Sequence, residues 1–136
     1  MTKNIMIVGV GGQGSLLASK MLGKLLLAQG YDVKVSEVHG MSQRGGSVVT
    51  YVRISDDEKL YSTIVEQGCA DVVLAFENLE ALRALPYLKD GGTIIVNTQE
   101  LLPMPVITGA AEYPDDCLER IRKSGANVIE LDATDI

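Results

Sequence analysis

The feature that most limits how this chain can fold is a short apolar run that ends in glycines and opens onto helical periodicity. Ile5-Met6-Ile7-Val8 places apolar side chains at successive positions, as a strand covered on both faces requires. Gly9-Val10-Gly11-Gly12-Gln13-Gly14 follows, with glycines at the spacing G-x-G-x-x-G. From Ser15 to Gln29 the residues Leu16, Leu17, Met21, Leu25 and Ala28 recur at helical intervals, and Gly30 supplies a stop. Strand, glycine turn and helix in that order open an α/β domain.

The rest of the chain continues the alternation, with one interruption. Asp32 to Val38 alternates as a strand, and Ser47 to Ile54 is β-branched and carries a tyrosine, which predicts another. Between them lies a second glycine segment, Glu37-Val38-His39-Gly40-Met41-Ser42-Gln43-Arg44-Gly45-Gly46, where a dinucleotide fold would place a crossover helix. Lys59-Leu60-Tyr61-Ser62, after the Asp56-Asp57-Glu58 turn, is expected to return as a short antiparallel hairpin partner. Val72 to Ala75 is a buried strand; Glu77 to Leu85 is helical until Pro86; Gly91-Gly92 turns the chain; Thr93 to Val96 is a buried strand. Leu102 to Pro105 is extended, Pro114 to Lys123 forms a helix with Asp115 and Asp116 in its first turn, and Asn127 to Leu131 is the last strand. Asp132 to Ile136 look like the start of a further helix, so the expectation is a domain truncated at its C-terminus. The predicted fold class is α/β: a three-layer, Rossmann-like, mostly parallel sheet with helices on both faces and an antiparallel hairpin.

Composition narrows the function. A chain of 136 residues, 46% of them hydrophobic, holds one domain with a real core. A net charge of −6 with scattered Lys and Arg argues against a nucleic-acid surface. No apolar run approaches the roughly 20 residues of a membrane span, and Met1-Thr2-Lys3-Asn4 leads directly into a strand, so the expected location is cytoplasmic, without membrane contact. Cys69 and Cys117 are the only cysteines and His39 the only histidine, so the chain cannot by itself hold an iron–sulfur cluster or a four-ligand zinc site. No metal is expected, and both cysteines read as small buried apolar residues. With no Trp and one Phe, the core must be aliphatic.

Both glycine segments can do chemistry beyond turning the chain. The first gathers backbone N–H groups and a helix N-terminus at one point, and Gln13 adds an amide that donates and accepts. The glycines serve equally to allow a tight turn and close packing. Glu37 stands where a dinucleotide fold places its ribose-binding acid, which keeps an NAD- or FAD-binding module open as an alternative. Ligands of an open parallel sheet gather beyond the carboxyl ends of its strands, so the candidate edge holds residues 11–14, 39–46, Glu77, Asn78 and 97–99. There Arg44 can clamp a phosphate or carboxylate, or pair with Glu37 or Glu77. His39 can transfer a proton or simply bond the loop backbone. Ser42 and Gln43 satisfy exposed backbone groups, since no Ser/His/acid spacing supports a nucleophile.

At these segments the sequence resembles a known family. Gly11-Gly12-Gln13-Gly14 after a strand, followed by Glu37 to Val48, look like the two signatures of the gamma-type subunit of ferredoxin-dependent 2-oxoacid oxidoreductases. Within that group the chain is most similar to the beta subunits of indolepyruvate:ferredoxin oxidoreductases, because pyruvate-type subunits usually carry arginine at the position of Val10 and a different second loop. The similarity continues through residues 76–82 and 91–97 and so covers nearly the whole chain.

The resemblance implies a single gamma-type catalytic domain over residues 1–136, inactive alone. It implies a larger partner subunit carrying thiamine diphosphate and iron–sulfur clusters, with coenzyme A as co-substrate and ferredoxin as electron acceptor; self-association is a further expectation. The assembled complex would oxidatively decarboxylate indolepyruvate or a related arylpyruvate to an aryl-acetyl-CoA, the equivalent pyruvate subunit being the near alternative. The implied cofactor-facing residues are Gly11, Gly12, Gln13, Gly14, Glu37, Gly40, Ser42, Gln43, Arg44, Gly45 and Gly46, with His39 and Arg44 as catalytic candidates. Related subunits usually continue by several elements past Leu131.

Overall fold

A computed structural model describes residues 2–10, 15–39, 47–56, 59, 60, 62, 64–98 and 116–132. The elements in order are β1 (Thr2–Val10), α1 (Ser15–Ala28), β2 (Asp32–His39), β3 (Ser47–Ser55), β4 (Ala70–Ala75), α2 (Asn78–Ala84) with a 3₁₀ turn at Leu85–Tyr87, β5 (Leu88–Asn97), α3 (Cys117–Arg122) and β6 (Asn127–Leu131). The strands form one six-stranded sheet in the order β2-β3-β1-β4-β5-β6. β1, β4, β5 and β6 are parallel, and β3 alone is reversed, antiparallel to both β1 and β2. The expected α/β class holds, and the antiparallel hairpin is β2–β3.

Two apolar layers flank the sheet, as the alternation of its strands dictates. On one face Ile7, Val52 and Ile54 pack with Leu22, Leu26, Val33, Leu74 and Phe76, so α1 covers β1 and β3. On the other, Met6, Val8, Val73, Ile94 and Val96 pack against Ala81 and Ala84 of α2 and Ile121 of α3. The core is aliphatic, each fully buried Val or Ile contributing about 1.5–3 kcal/mol. β1 extends beyond the predicted Ile5–Val8 because β3 pairs with its whole length, from Thr2 opposite Ser55 to Val10 opposite Ser47, whereas β4 pairs only with Ile5–Val8.

Several predicted details change. α1 starts at Ser15 as expected and ends at Ala28, one residue before the expected Gln29, closed by Gly30 at φ +93° with the Gly30 N–H on the Leu27 carbonyl at 3.0 Å, but it buries a different face. Ser19 and Gly23 lie against the sheet with Leu22 and Leu26, whereas Leu17, Met21 and Leu25 are 64%, 64% and 59% exposed. Small residues let the helix sit close to the sheet, and a Cβ on Gly23 would meet Val35 Cγ2 at 3.4 Å. Residues 59, 60 and 62 form no strand, because both neighbours of β3 are already taken. Instead the Leu60 side chain is buried and its N–H donates to Asp32 Oδ2 at 2.8 Å. Gly91-Gly92 do not separate two elements. They form a bulge inside β5: Ala70 pairs with Leu88 but Val72 with Thr93, and Gly91 takes up φ +77°. α3 starts at Cys117 with Asp116 at its N-cap, whose carboxylate turns away to accept from Arg120 Nε at 2.7 Å. Cys117 is buried as expected, but Cys69 is exposed at a turn before β4. The segments expected at 102–105, 114–115 and 133–136 lie outside the described residues.

Candidate functional site

The strand register brings the anchor points of both glycine segments to one edge. Residues 11–14 leave from Val10 at the end of β1, and residues 40–46 run from His39 at the end of β2 to Ser47 at the start of β3. Val10 pairs with Ser47, and His39 with Val48. The three anchors therefore sit on adjacent strands, with β1 and β2 about 10 Å apart across β3. The carboxyl ends of β4 and β5 adjoin them, since Val8 pairs with Ala75 and Ala75 with Val96. Of the expected site residues, Gly11, Gly12, Gln13, Gly14, Gly40, Ser42, Gln43, Arg44, Gly45 and Gly46 lie outside the described residues. His39 is placed by its backbone at the tip of β2.

Glu37 is described, and its position is informative. It lies opposite Thr50 on β3, which in turn lies opposite Ile7 on β1, so these three share the sheet face that α1 covers. In a dinucleotide fold the acid stands at the tip of the strand beside β1. Here a reversed strand intervenes and Glu37 points into the layer beneath α1. Thr50 is wholly buried, and its Oγ1 has no hydrogen-bond partner among the described residues. In the sequence Thr50 is one more β-branched strand residue, distinguished only by a hydroxyl in phase with buried Val48, Val52 and Ile54.

The neighbouring part of the edge is tightly built. After β4 the Phe76 N–H donates to the Val8 carbonyl at 2.9 Å, which continues the β1–β4 ladder. Glu77, 1% exposed, is the N-cap of α2, its Oε1 accepting from the Glu80 N–H at 3.0 Å. Asn97 Nδ2 donates to the Phe76 carbonyl at 3.3 Å and ties the end of β5 to the same corner. Glu80 is buried and accepts from Arg83 Nη1 at 2.9 Å. Glu77, Asn78 and Asn97, expected at this edge, are thus brought there, and Glu77 is oriented by its capping bond.

Ion pairs elsewhere are structural. At the opposite edge burial alone would raise the Asp71 carboxyl, but hydrogen bonds from Lys89 and the Asn4 N–H, with Lys3 nearby, outweigh it and hold its pKa below the ordinary value. Glu130 is held low by its two bonds from Arg122. Burial, then Tyr87, raises the Tyr51 phenol. Two hollows among the described residues, of about 280 and 240 Å³, are lined by Leu88 to Gly91 with Ser124 to Ala126, and by Asn4, Arg53 and Cys69. Both open at that opposite edge, away from the glycine segments. Among the described residues no group of three or more His, Cys, Asp or Glu could hold a metal ion. None of the described helices is long and apolar enough to cross a membrane.

Comparison with known proteins gives a consistent set of relatives. The family model for pyruvate ferredoxin/flavodoxin oxidoreductase matches residues 4–136. The indolepyruvate oxidoreductase subunit IorB of Pyrococcus horikoshii is 52% identical over 120 residues, covering 88% of this chain and 57% of that protein. The common subunit gamma of the pyruvate/ketoisovalerate oxidoreductases of Thermococcus litoralis is 29% identical over 128 residues, covering 94% and 63%. The crystal structure of the pyruvate oxidoreductase subunit PORC from Thermotoga maritima superposes with a TM-score of 0.70 at 23% identity, over 98% of this chain and 64% of that one. The chain spans little more than half the length of the IorB relative.

Proposed function

Because the chain belongs to the pyruvate ferredoxin/flavodoxin oxidoreductase family, we propose that it is the small subunit of an indolepyruvate-type 2-oxoacid:ferredoxin oxidoreductase. The complex cleaves the bond between the carboxyl and keto carbons of an arylpyruvate. The carboxyl group leaves as CO2, the aryl-acetyl group forms a thioester with the coenzyme A sulfur, and the released electrons reduce ferredoxin. The carrying observation is the contrast in similarity: 52% identity to an indolepyruvate subunit against 29% to a pyruvate/ketoisovalerate one.

Thiamine diphosphate and iron–sulfur clusters supply the carbanion and electron chemistry of such a reaction, and this chain's residues do not fit a cluster. Its two cysteines are exposed Cys69, before β4 and away from the glycine edge, and Cys117, buried in the first turn of α3, too few and too separate for ligation. The clusters are therefore assigned to a larger partner subunit, and family membership supports assigning thiamine diphosphate to it as well. This chain contributes an edge where backbone N–H groups of residues 11–14 and the side chains of Gln13, His39 and Arg44 meet the partner's cofactor or the incoming coenzyme A. The reading of the first segment as an NAD or FAD site loses support from β3, which separates Glu37 from β1.

The test is co-expression with the larger thiamine-dependent subunit, followed by indolepyruvate-dependent dye reduction with and without coenzyme A. Activity is expected only in the assembled complex. Full activity of the larger subunit without this chain refutes the proposal.

A further inference from the structure

The hollow of about 240 Å³ at the edge opposite the glycine segments holds two charges that the fold leaves uncompensated. Asn4, Arg53, Ser62, Ile64, Glu66 and Cys69 contribute to its lining. Arg53 is held by uncharged acceptors: its Nε donates to Asn4 Oδ1 at 2.9 Å and its Nη1 to the Ser62 carbonyl at 2.9 Å. Asn4 is fixed in turn, its Nδ2 donating to the Cys69 carbonyl at 3.1 Å and its N–H to Asp71 Oδ2 at 2.8 Å. The guanidinium is thus positioned on β3 with its remaining N–H donors and its full charge available. Among the described residues no carboxylate pairs with it, although the chain carries a net charge of −6. Glu66, exposed on the same hollow, likewise has no basic partner among the described residues. Ile64, 59% exposed, adds an apolar wall.

We propose that this hollow binds a free α-amino acid with an aliphatic side chain. The proposal does not rest on the subunit reading. Three features select that class of ligand. The planar fork of Arg53 matches a carboxylate, and because its present acceptors are neutral no existing ion pair has to break. Glu66 accepts from an ammonium group, whereas a plain carboxylate or a phosphate would set a second negative charge against it. Ile64 receives the apolar side chain, and a volume of about 240 Å³ falls below the about 300–1,000 Å³ of pockets for larger ligands.

Cys69 reports occupancy directly, since it lines the hollow and is exposed, whereas Cys117 is buried. The full chain is labelled with iodoacetamide, an uncharged reagent that Arg53 does not attract, and modification of each cysteine is followed by peptide mass. The probe is L-leucine. At about ten times its half-protecting concentration it should slow labelling of Cys69 about tenfold. Isocaproate and isoamylamine, which each keep one of its two charged groups, should protect only at concentrations about tenfold higher or more. Arg53→Gln and Glu66→Gln should each raise the half-protecting concentration of L-leucine about tenfold or more, as loss of one charge-assisted contact requires. Far-UV circular dichroism checks the fold of both variants, and Glu66 is exposed, so its variant decides the matter alone where Arg53→Gln does not fold. Absence of protection by L-leucine, equal protection by isocaproate, or protection unchanged in Glu66→Gln overturns the proposal. Failure of Cys69 to label in the free chain also overturns it, because the hollow would then be closed to a ligand. None of these outcomes bears on the subunit reading, which the co-expression assay tests separately.

Discussion

Replacing Thr50 with valine should stabilise the domain. Thr50 is wholly buried on β3 in phase with Val48, Val52 and Ile54, and its Oγ1 has no hydrogen-bond partner among the described residues. Leaving a buried polar group unsatisfied costs about 1–3 kcal/mol. Valine has nearly the same shape, so no cavity forms, and its β-branch suits the strand equally. The expected gain is about 1–2 kcal/mol, which for a domain of this size raises Tm by about 3–8 °C. Thr50→Ser is the control: it keeps the hydroxyl and deletes the methyl, and should lose about 1 kcal/mol. Urea unfolding of the three chains, compared at equal slope, gives the differences directly. Destabilisation of the valine variant by more than about 0.5 kcal/mol, with the serine variant near wild type, would show that the hydroxyl is bonded and refute the reasoning.

Other consequences are equally direct. Gly23→Ala should add about 0.5–1 kcal/mol by helix propensity, since its Cβ meets Val35 Cγ2 at a tolerable 3.4 Å, whereas Gly23→Leu should lift α1 off the sheet; thermal melts separate the two. Glu77→Ala should cost about 1–3 kcal/mol by removing the α2 cap and emptying a buried site, with Glu77→Asp closer to wild type in the same melts. The Asp71 carboxyl has a folded pKa below its ordinary 3.8, so its stabilisation is complete above that value and disappears as pH falls through the folded pKa. Asp71→Asn should therefore lower the urea midpoint at pH 7 and flatten its decline below about pH 4; an unchanged acid limb would contradict this. Arg44→Ala and Gly12→Val should each lower turnover of the assembled complex well beyond any loss of stability, and normal turnover with normal assembly would leave the glycine segments a structural role only.

Local chemistry determined most of the element list, because periodicity, β-branching and glycine stops act within a few residues. The strands read at Ile5–Val8, Asp32–Val38, Ser47–Ile54 and Val72–Ala75 and the helix read over Ser15–Gln29 were legible in this way, each within a few residues of the observed element. The two glycine signatures also pointed to the family, whose model matches residues 4–136. Pairing was not legible. Nothing local tells β3 to insert reversed between β1 and β2, yet that choice places both glycine segments on neighbouring strands and moves Glu37 away from a ribose-binding position. It also leaves no edge of β3 for residues 59–62.

The clearest division falls on α1. Its sequence fixed a helix with apolar residues at positions 17, 21 and 25, and a helix shows the same spacing whether that stripe meets its own sheet or faces away from it. Only the tertiary packing decided between them: the sheet accepts the side where Ser19 and Gly23 permit close approach, and the larger side chains are left outward.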